Sequence, residues 1–272
     1  MPCGRAARIV AGMSIPSEGY PEAAAVSPRL HVVETTDSTN ALLLRAVADA
    51  PDEHPHLSVV LTRDQRAGRG RLDRTWVAPP DTALAISVLL RAGAVPMHAR
   101  GWIPLAAGAA MCRALRTQLG AHDVVLKWPN DVLVDGRKIC GILAEVAPGD
   151  PQAVVVGAGV NTAMPAAELP VPAATSFAAL GETADEDRLL ADYLTGLRDR
   201  VAALAVADGA ADGLRDEVAE LCATIGAEVS VALPGGGALE GRAVGLDADG
   251  RLVVESLGVE TAVGAGDVVH VR

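Results

Sequence analysis

The sequence predicts an α+β fold in which a mixed β-sheet is backed by helices and followed by a small C-terminal β-barrel. Over residues 29–224, strand and helix candidates follow one another without the steady strand–helix–strand rhythm of a doubly wound sheet. After residue 224, short apolar runs alternate with glycine-rich breaks, which is typical of four or five short barrel strands. Half of the 272 residues are hydrophobic, so the chain can build a sizeable core.

Composition divides the chain into three parts. Residues 1–28 contain prolines, serines and glycines with no sustained period, so we expect a flexible N-terminal tail. A large domain is predicted over residues 29–224 and a small domain over residues 225–272. The weakly cationic start lacks the continuous apolar segment of a secretion signal, and no apolar run approaches the roughly 20 residues of a membrane span. We therefore expect a cytoplasmic protein that does not bind membranes.

The elements of the large domain are predicted from apolar runs and periodicity. The predicted strands lie at residues 30–34, 58–63, 83–90, 124–127, 132–134, 138–146 and 153–160. The predicted helices lie at residues 102–119, 185–205 and 211–224, with one more that follows residue 40 and ends at Pro51. Asp37 or Ser38 can cap that first helix, and Asp135-Gly136 is a strong hairpin turn signal. The Pro- and Ala-rich residues 162–184 are predicted to form a loop.

Charge and cysteine usage exclude some functions. The net charge of −11 disfavours a general DNA or RNA binder, although local basic patches remain compatible with it. The four cysteines form no C-x-x-C pair, and none has a histidine at zinc-ligand spacing. They are typical of buried thiols in a reducing compartment. Since the six histidines are scattered, we predict no transition-metal site built by the protein.

Residues 65–76, which we call the Gly-Arg segment, combine glycines with arginines. Gly68 and Gly70 let the backbone adopt positive φ and approach a ligand closely. Arg69 and Arg71 supply planar guanidinium groups that pair with carboxylate or phosphate. The spacing matches neither a P-loop nor a dinucleotide fingerprint. Taken alone, the segment fits a solvated basic surface loop equally well.

A second stretch, residues 127–145, begins with Lys-Trp-Pro-Asn-Asp. Pro129 restricts the backbone, so Asn130 and Asp131 are expected at the tip of a rigid turn beside Lys127. These oxygens and this cation could hold Mg²⁺ and the phosphates that it bridges. Lys138 lies across the predicted hairpin and should reach the same end of the site. Capping of the turn explains Asp131 alone equally well, but the whole group favours a functional interpretation.

Two weaker signals flank these stretches. Ser38, Thr39 and Asn40 start a helix, where they either cap it or offer hydroxyl and N–H groups to a polar ligand. Asn161 follows a strand that ends in Gly-Ala-Gly-Val. Glycines there leave room for a flat ring, and the asparagine amide can bond the edge of that ring.

Together these motifs resemble those of the biotin protein ligases, the biotin–acetyl-CoA-carboxylase ligase family. They occur in the family's order across residues 30–165, and the small C-terminal domain also fits. The matching elements are Asp37-Ser38-Thr39-Asn40, Gly68-Arg69-Gly70-Arg71 with Arg74 and Trp76, Lys127-Trp128-Pro129-Asn130-Asp131 with Lys138, Gly141-Ile142-Leu143 with Glu145, and Gly157-x-Gly159-x-Asn161. The resemblance implies a sheet like that of class II synthetases and an SH3-like C-terminal barrel.

The resemblance also implies a reaction. Family members adenylate biotin with Mg-ATP and then pass the biotinyl group to a lysine of a biotin carboxyl carrier domain of acyl-CoA carboxylases. The implied biotin-binding residues are Ser38, Thr39, Asn40, Gln65, Arg69, Gly70, Arg71, Lys138, Gly141 and Leu143. The implied ATP-binding residues are Arg69, Arg71, Arg74, Trp76, Lys127, Asn130, Asp131, Lys138 and Asn161. Lys138, Arg69 and Asp131 would be catalytic, with Asp131 near Mg²⁺ that is held through the phosphates.

The chain departs from the family pattern in two places. Asp73 stands where many relatives have glycine, which would stiffen the Gly-Arg segment or weaken its hold on anions. Some relatives carry an N-terminal helix-turn-helix domain for which this sequence has no room, so we expect no DNA-binding role. We expect a monomer or weak homodimer. The alternatives are lipoate or octanoate transfer on a related fold, a nucleic-acid-binding regulator, and a catalytically silent biotin-binding protein.

Overall fold

The structure is a computed structural model that describes residues 19–72, 74–76, 78–206, 210–233, 236–264, 266 and 268–271. Its helices are α1 (Pro21–Val26), α2 (Thr39–Asp49), α3 (Ile103–Gln118), α4 (Glu186–Ala205) and α5 (Ala210–Leu221). The strands of the large domain are β1 (Leu30–Val32), β2 (Val59–Thr62), β3 (Gly68–Arg69), β4 (Thr75–Trp76), β5 (Ala83–Arg91), β6 (Val124–Lys127), β7 (Asp131–Val134), β8 (Arg137–Ala147) and β9 (Asp150–Asn161). The C-terminal strands are β10 (Glu228–Ala232), β11 (Ala238–Leu246), β12 (Leu252–Ser256), β13 (Val259–Val263) and β14 (Val268–His270).

A seven-stranded mixed sheet forms the centre of the large domain, in the order β1-β2-β5-β9-β8-β7-β6. The pair β1–β2 is parallel, and the other pairs are antiparallel. Helices cover both faces of this sheet, as strand β5 shows. Its even-numbered residues, such as Ile86, join the main core with α3 and α4, while Leu89 packs with α2 on the opposite face. The predicted mixed sheet backed by helices is therefore confirmed.

The N-terminal tail differs from the prediction where the structure describes it. Residues 21–26 form helix α1, and Ala23 is fully buried. The backbone N–H groups of Glu22 and Ala23 donate to the carboxylate of Asp187 on α4, at 3.0 and 2.9 Å, while the hydroxyl of Tyr20 donates to Glu186 at 3.0 Å. A flexible tail is therefore wrong for this part, because α4 satisfies the free N–H groups of the first helical turn. Residues 1–18 lie outside the described part of the chain.

The predicted hairpin between β7 and β8 is confirmed. Asp135 and Gly136 both have positive φ, at 49° and 74°, as a tight two-residue turn requires. The long predicted loop at residues 162–184 contains only two short 3₁₀ turns, at Ala166–Glu168 and Ala178–Leu180. It runs beside β8, where the N–H of Lys138 donates to the carbonyl of Ala173 at 2.7 Å.

The C-terminal domain is a five-stranded antiparallel sheet in the order β13-β12-β11-β10-β14. The predicted strand number is confirmed, whereas closure into an SH3-like barrel remains a prediction, since β13 and β14 pair on one side only among the described residues. The turn before β12 packs against the large domain. There the indole N–H groups of Trp102 and Trp128 donate to the carbonyls of Ala248 and Gly250, at 2.8 and 3.2 Å.

Within the described ranges, no helix combines the length and the apolar character that crossing a membrane would require.

Candidate active site

A cavity of ≈ 410 Å³ opens over one face of the large sheet, on the same side as α2. Its floor consists of paired positions on neighbouring strands: Ala85 opposite Gly159, and Gly159 opposite Gly141. Because Gly159 lacks a side chain, the indole of Trp76 lies directly on it, where an added Cβ would come within 2.7 Å of the ring. The predicted room for a flat ring is thus real, and Trp76 fills part of it.

One wall of the cavity is a buried network of uncharged side chains at the start of α2, which we call the polar wall. Thr39 donates from its backbone N–H and its hydroxyl to Gln65 Oε1, at 2.8 and 3.0 Å. Ser87 Oγ on β5 donates to Asn40 Oδ1 at 2.6 Å and lies 2.8 Å from Thr39 Oγ1. Thr39, Asn40 and Ser87 are each at most 5% exposed, so these groups are held in place by one another.

The same helix start also shows capping. Ser38 is the N-cap residue of α2, and its Oγ accepts a hydrogen bond from the N–H of Ala41 at 3.3 Å. The capping interpretation is confirmed for Ser38. Ligand binding stays a prediction, although Ser38, Thr39 and Asn40 all line the cavity.

The opposite wall carries three cations, which we call the cationic wall. Lys138 Nζ lies 2.6 Å from Asp131 Oδ1, and Arg69 Nη2 lies 3.0 Å from Glu145 Oε1. Arg71 donates to Asn130 Oδ1 at 3.1 Å. Each partner comes from the β6–β7 turn, β7 or β8, so these neighbouring segments hold all three cations. Three of the four arginines of the Gly-Arg segment, Arg69, Arg71 and Arg74, line the cavity, whereas Arg66 does not and is 66% exposed.

Arg71 is partly buried. Burial lowers the pKa of its guanidinium, the negative charge of Asp131 raises it, and the neighbouring charge of Arg74 lowers it again. The group stays protonated at neutral pH, since an arginine side chain does not lose its proton in proteins. Its second contact, to the carbonyl of Gly266 at 3.2 Å, links the Gly-Arg segment to the C-terminal domain.

The rigid turn predicted around Pro129 joins β6 to β7, with Lys127 directly opposite Asp131. Asn130 Nδ2 donates to the carbonyl of Ile142 at 2.8 Å, which fixes the asparagine side chain beside β8. Behind the turn, Trp128 is almost fully buried, and its backbone N–H donates to Thr224 Oγ1 at 3.1 Å. The turn is thus held from both sides, and the hydroxyl of Thr224 ties it to the beginning of the C-terminal domain.

All but one of the predicted site residues line this cavity. They are Ser38, Thr39, Asn40, Gln65, Arg69, Gly70, Arg71, Arg74, Trp76, Lys127, Asn130, Asp131, Lys138, Gly141 and Leu143. The exception is Asn161, whose Nδ2 donates to the carbonyl of Thr175 at 2.9 Å. Because the N–H of Thr175 bonds the carbonyl of Lys138 at 2.8 Å, Asn161 reaches the site through that loop. Asp73 lies outside the described residues.

Sequence reasoning missed several contributors. Ser87 belongs to the floor side of the polar wall, and Val268 and Val269 of β14 close the cavity from the C-terminal domain. Ser87 left a signal, since it is the one hydroxyl in the apolar run Ala-Leu-Ala-Ile-Ser-Val-Leu-Leu. Val268 and Val269 left none, because an apolar pair in a short strand is typical of any core.

Residues 32–161 match the Biotin/lipoate A/B protein ligase family, and residues 224–271 match the Biotin protein ligase C terminal domain. A biotin--[acetyl-CoA-carboxylase] ligase from Mycobacterium tuberculosis is 39% identical over 246 residues, which cover 90% of this chain and 90% of that protein. The chain belongs to the biotin protein ligase family. The family predicted from the motifs is thus confirmed.

Other relatives match in part. The bifunctional ligase/repressor BirA of Escherichia coli is 38% identical over 135 residues, or 49% of this chain and 40% of that protein. The structure of the biotin protein ligase from Aquifex aeolicus in complex with biotin and ATP superposes with a TM-score of 0.74. It covers 90% of this chain and 99% of that one at 22% identity, which supports the fold alone.

Proposed function

We propose that the chain is a biotin--[acetyl-CoA-carboxylase] ligase, which joins biotin to ATP as biotinyl-5′-AMP and then transfers the biotinyl group to a lysine of a biotin carboxyl carrier domain. The observation that carries the proposal is the pairing of an uncharged, buried wall with three fixed cations around one cavity. Membership of the family and the M. tuberculosis relative support it.

The cationic wall suits the first half-reaction. There the biotin carboxylate attacks the α-phosphorus of ATP, a bond forms between carboxylate oxygen and phosphorus, and pyrophosphate leaves. Two anions must approach each other, so fixed positive charges offset their repulsion and stabilise the charge that develops on phosphorus. We assign this role to Lys138, Arg69 and Arg71. Their present partners, Asp131, Glu145 and Asn130, keep them in place without strongly committing them.

The polar wall suits the uncharged end of biotin. We assign ligand contacts to Ser38, Thr39 and Gln65, with Gly141 and Leu143 beneath, because ring N–H and carbonyl groups need fixed partners in a buried site. Gly70, between two arginines, lets the Gly-Arg segment lie close to the bound acyl-adenylate. A closed segment would exclude water from a mixed anhydride that hydrolyses easily.

We assign the nucleotide to the remaining side of the cavity. Trp76 offers an aromatic face, Lys127 and Arg74 offer charge, and Asn130 offers an amide. Among the described residues that line the cavity, Asp131 is the one carboxylate. With the side-chain oxygen of Asn130 it fits a hard cation such as Mg²⁺, whose chemistry is to bridge phosphates and neutralise their charge. No group of three or more histidine, cysteine or acidic side chains in the described chain could hold a metal ion.

The second half-reaction needs a neutral amine. The acceptor lysine attacks the carbonyl carbon of the adenylate, an amide forms, and AMP leaves as the anion. Positive charge from Arg69 and Lys138 would disfavour a protonated amine nearby and so assist loss of its proton. We place this reaction in the cytoplasm, in keeping with the free, buried thiols of Cys112, Cys140 and Cys222.

Biotin-dependent exchange of labelled pyrophosphate into ATP tests the proposal. With Mg²⁺ and the purified chain, we expect exchange with biotin and none without it. The same assay with lipoate or octanoate tests the other substrates of the matching family, and exchange with these in place of biotin would replace the biotin assignment. A folded protein that binds biotin but exchanges no pyrophosphate would be a binding protein and would refute the ligase proposal.

A further inference from the structure

Glu145 joins two parts of the site, since it contacts Asn40, which lies 105 residues before it in the sequence, and Arg69, which lies 76 residues before it. Its carboxylate accepts a hydrogen bond from Asn40 Nδ2 at 2.7 Å and forms an ion pair with Arg69, whose Nη2 lies 3.0 Å from Oε1. The Glu145 side chain is only 24% exposed, so these contacts are better shielded than those of a free surface pair. One carboxylate therefore connects the polar wall to the cationic wall.

Both amide hydrogens of Asn40 are donated to acceptors of the protein. One of its two N–H hydrogens faces Glu145, and the other faces the carbonyl of Leu143 at 3.2 Å. Both partners are acceptors, so the orientation of the amide follows from hydrogen bonding alone. Its oxygen then points to the hydroxyl of Ser87. Asn40 has no amide hydrogen left for a ligand and instead acts by holding its neighbours.

The same network reaches the Gly-Arg segment twice. At one end Arg69 pairs with Glu145, and at the other Gln65 accepts from Thr39, whose hydroxyl lies 2.8 Å from Ser87. A continuous series of polar contacts thus runs from Arg69 through the polar wall and back to Gln65. The segment is attached to the wall at both ends of its first five residues.

Arg69 lines the cavity, while Glu145 does not. Among the described residues, both line a second, more open cavity beside the first, which shares Gly70, Arg71 and Arg74 with it. A carboxylate outside the first cavity can hold the guanidinium without entering the space that a ligand would fill. It does not compete with an anion that approaches Arg69 from inside the cavity.

We propose that Glu145 is a positioning residue of the ligase, which holds the Gly-Arg segment against the polar wall through Arg69 and fixes the amide of Asn40. This inference rests on the proposed function, because the segment matters only if it closes over biotin and its adenylate. Glu145 acts through its two partners and contacts neither substrate.

Limited trypsin digestion of the ligand-free protein tests the attachment without relying on activity. The segment contains four arginines, so opening exposes cleavage sites between residues 66 and 74. In Glu145→Gln, which loses the ion pair, we expect cleavage there to be about fivefold faster. The matched control is Glu217→Gln, since Glu217 is 21% exposed and pairs with Arg113 and Arg200 away from the cavity. The control should leave cleavage of the segment unchanged.

Kinetics separate positioning from mere loss of stability. For Glu145→Ala we expect the KM for biotin to rise about tenfold with kcat changed less than about threefold, since binding geometry and not chemistry is disturbed. Glu145→Gln keeps an oxygen that can accept from Asn40, so its KM should lie between those of Glu145→Ala and the wild type. Combined with Arg69→Ala, Glu145→Gln should add little further cleavage, since both changes remove one contact.

Three results would contradict one of the two proposals, and each of them has a different meaning. If wild-type protein exchanges pyrophosphate but Glu145→Ala leaves cleavage and biotin KM unchanged, the positioning role is wrong and the function stands. A lower KM for biotin in Glu145→Ala would show that Glu145 competes with the ligand for Arg69, which also overturns the role. If the wild type shows no biotin-dependent exchange, the proposed function fails, while the cleavage experiment still reports on the attachment.

Discussion

The two walls of the cavity are built on opposite principles. Thr39, Asn40 and Ser87 of the polar wall are buried and bonded to one another, so their geometry is set before any ligand arrives. On the cationic wall, Lys138 and Arg69 are 41% and 48% exposed and rely on ion pairs. Exposed pairs of this kind contribute only about 0–1 kcal/mol each, so they can exchange partners at little cost.

The difference indicates a division of labour. A network of buried hydrogen bonds is costly to disturb, because a buried polar group that is left without a partner costs its full desolvation free energy. Such a wall discriminates between ligands. Lys138 can leave Asp131 when phosphate arrives, whereas Arg69 can keep its contact with Glu145, so we propose that these cations serve the chemical step. Changes in the polar wall should therefore reduce stability and ligand affinity together, whereas replacement of a cation in the cationic wall should mainly reduce the rate.

The largest effect is expected for Lys138→Ala. Loss of this charge should lower the adenylation rate at least about 100-fold, since removing one donor to a developing anion typically costs that much. The free energy of unfolding should change by less than about 1 kcal/mol, because the Lys138–Asp131 pair is partly exposed. Burst kinetics of adenylate formation and urea unfolding measure both quantities.

Arg188→Ala is the control for this prediction, since its pair with Asp192 at 3.0 Å lies on α4 away from the cavity. It should leave the adenylation rate unchanged. Wild-type rates in folded Lys138→Ala would remove Lys138 from the chemistry and with it the assigned role of the cationic wall.

Ser87→Ala tests the polar wall. It removes the hydroxyl that donates to Asn40 Oδ1, so unfolding should require about 1–3 kcal/mol less free energy. Biotin affinity should fall about tenfold, because Ser87 also positions Thr39, and the loss of one hydrogen bond from Thr39 to the ligand corresponds to roughly that factor. Calorimetric titration with biotin and urea unfolding test this.

Ser58→Ala is a close control, since Ser58 is equally buried and its hydroxyl donates to the carbonyl of Pro55 at 2.7 Å, away from the cavity. It should lose similar stability with unchanged biotin affinity. Equal losses of biotin affinity in both variants would mean that stability alone governs binding, and the division of labour between the walls would be wrong.

A smaller effect is expected where the C-terminal domain supports the cationic wall. Thr224→Val removes the acceptor for the backbone N–H of Trp128 and should cost about 1–2 kcal/mol of stability. Since the turn after Trp128 carries Asn130 and Asp131, the KM for ATP should rise a few-fold while the KM for biotin stays constant. A change in the biotin KM instead would show that the two walls are not independent.

The sequence predicted what local chemistry encodes. Asp135-Gly136 predicts a hairpin, and Gly157 and Gly159 predict strand positions that leave room for a flat ring. It could not predict contacts between distant segments that have no compositional signal. The capping of α1 by Asp187, the bond from Trp128 to Thr224, and the closure of the cavity by Val268 arise only when the chain is folded.

The smallest predicted effect is the pH dependence of stability that arises from His270. His270 Nε2 lies 3.2 Å from Thr224 Oγ1, and burial first, then the charge of Lys127, lowers the pKa of this imidazole below its ordinary value of 6.5. The unfolded chain therefore binds a proton near pH 6.5 that the folded protein accepts only at lower pH. Stability must fall as the pH drops from 6.5 to the lowered pKa.

Replacing His270 separates this contribution from the rest. His31 and His56 also have lowered pKa values through burial and should contribute in the same direction, whereas the perturbed carboxyl groups of Asp135 and Asp247 titrate below pH 3.8, outside this window. His270→Gln should keep most of its stability at pH 7 and show a shallower loss between pH 6.5 and 5.5 than the wild type, as measured by urea unfolding at each pH. An identical slope in both proteins would mean that His270 takes up its proton equally in the folded and unfolded states, so that neither burial nor Lys127 perturbs it. A shallower slope would confirm that folding lowers the pKa of His270, through burial first and the charge of Lys127 second.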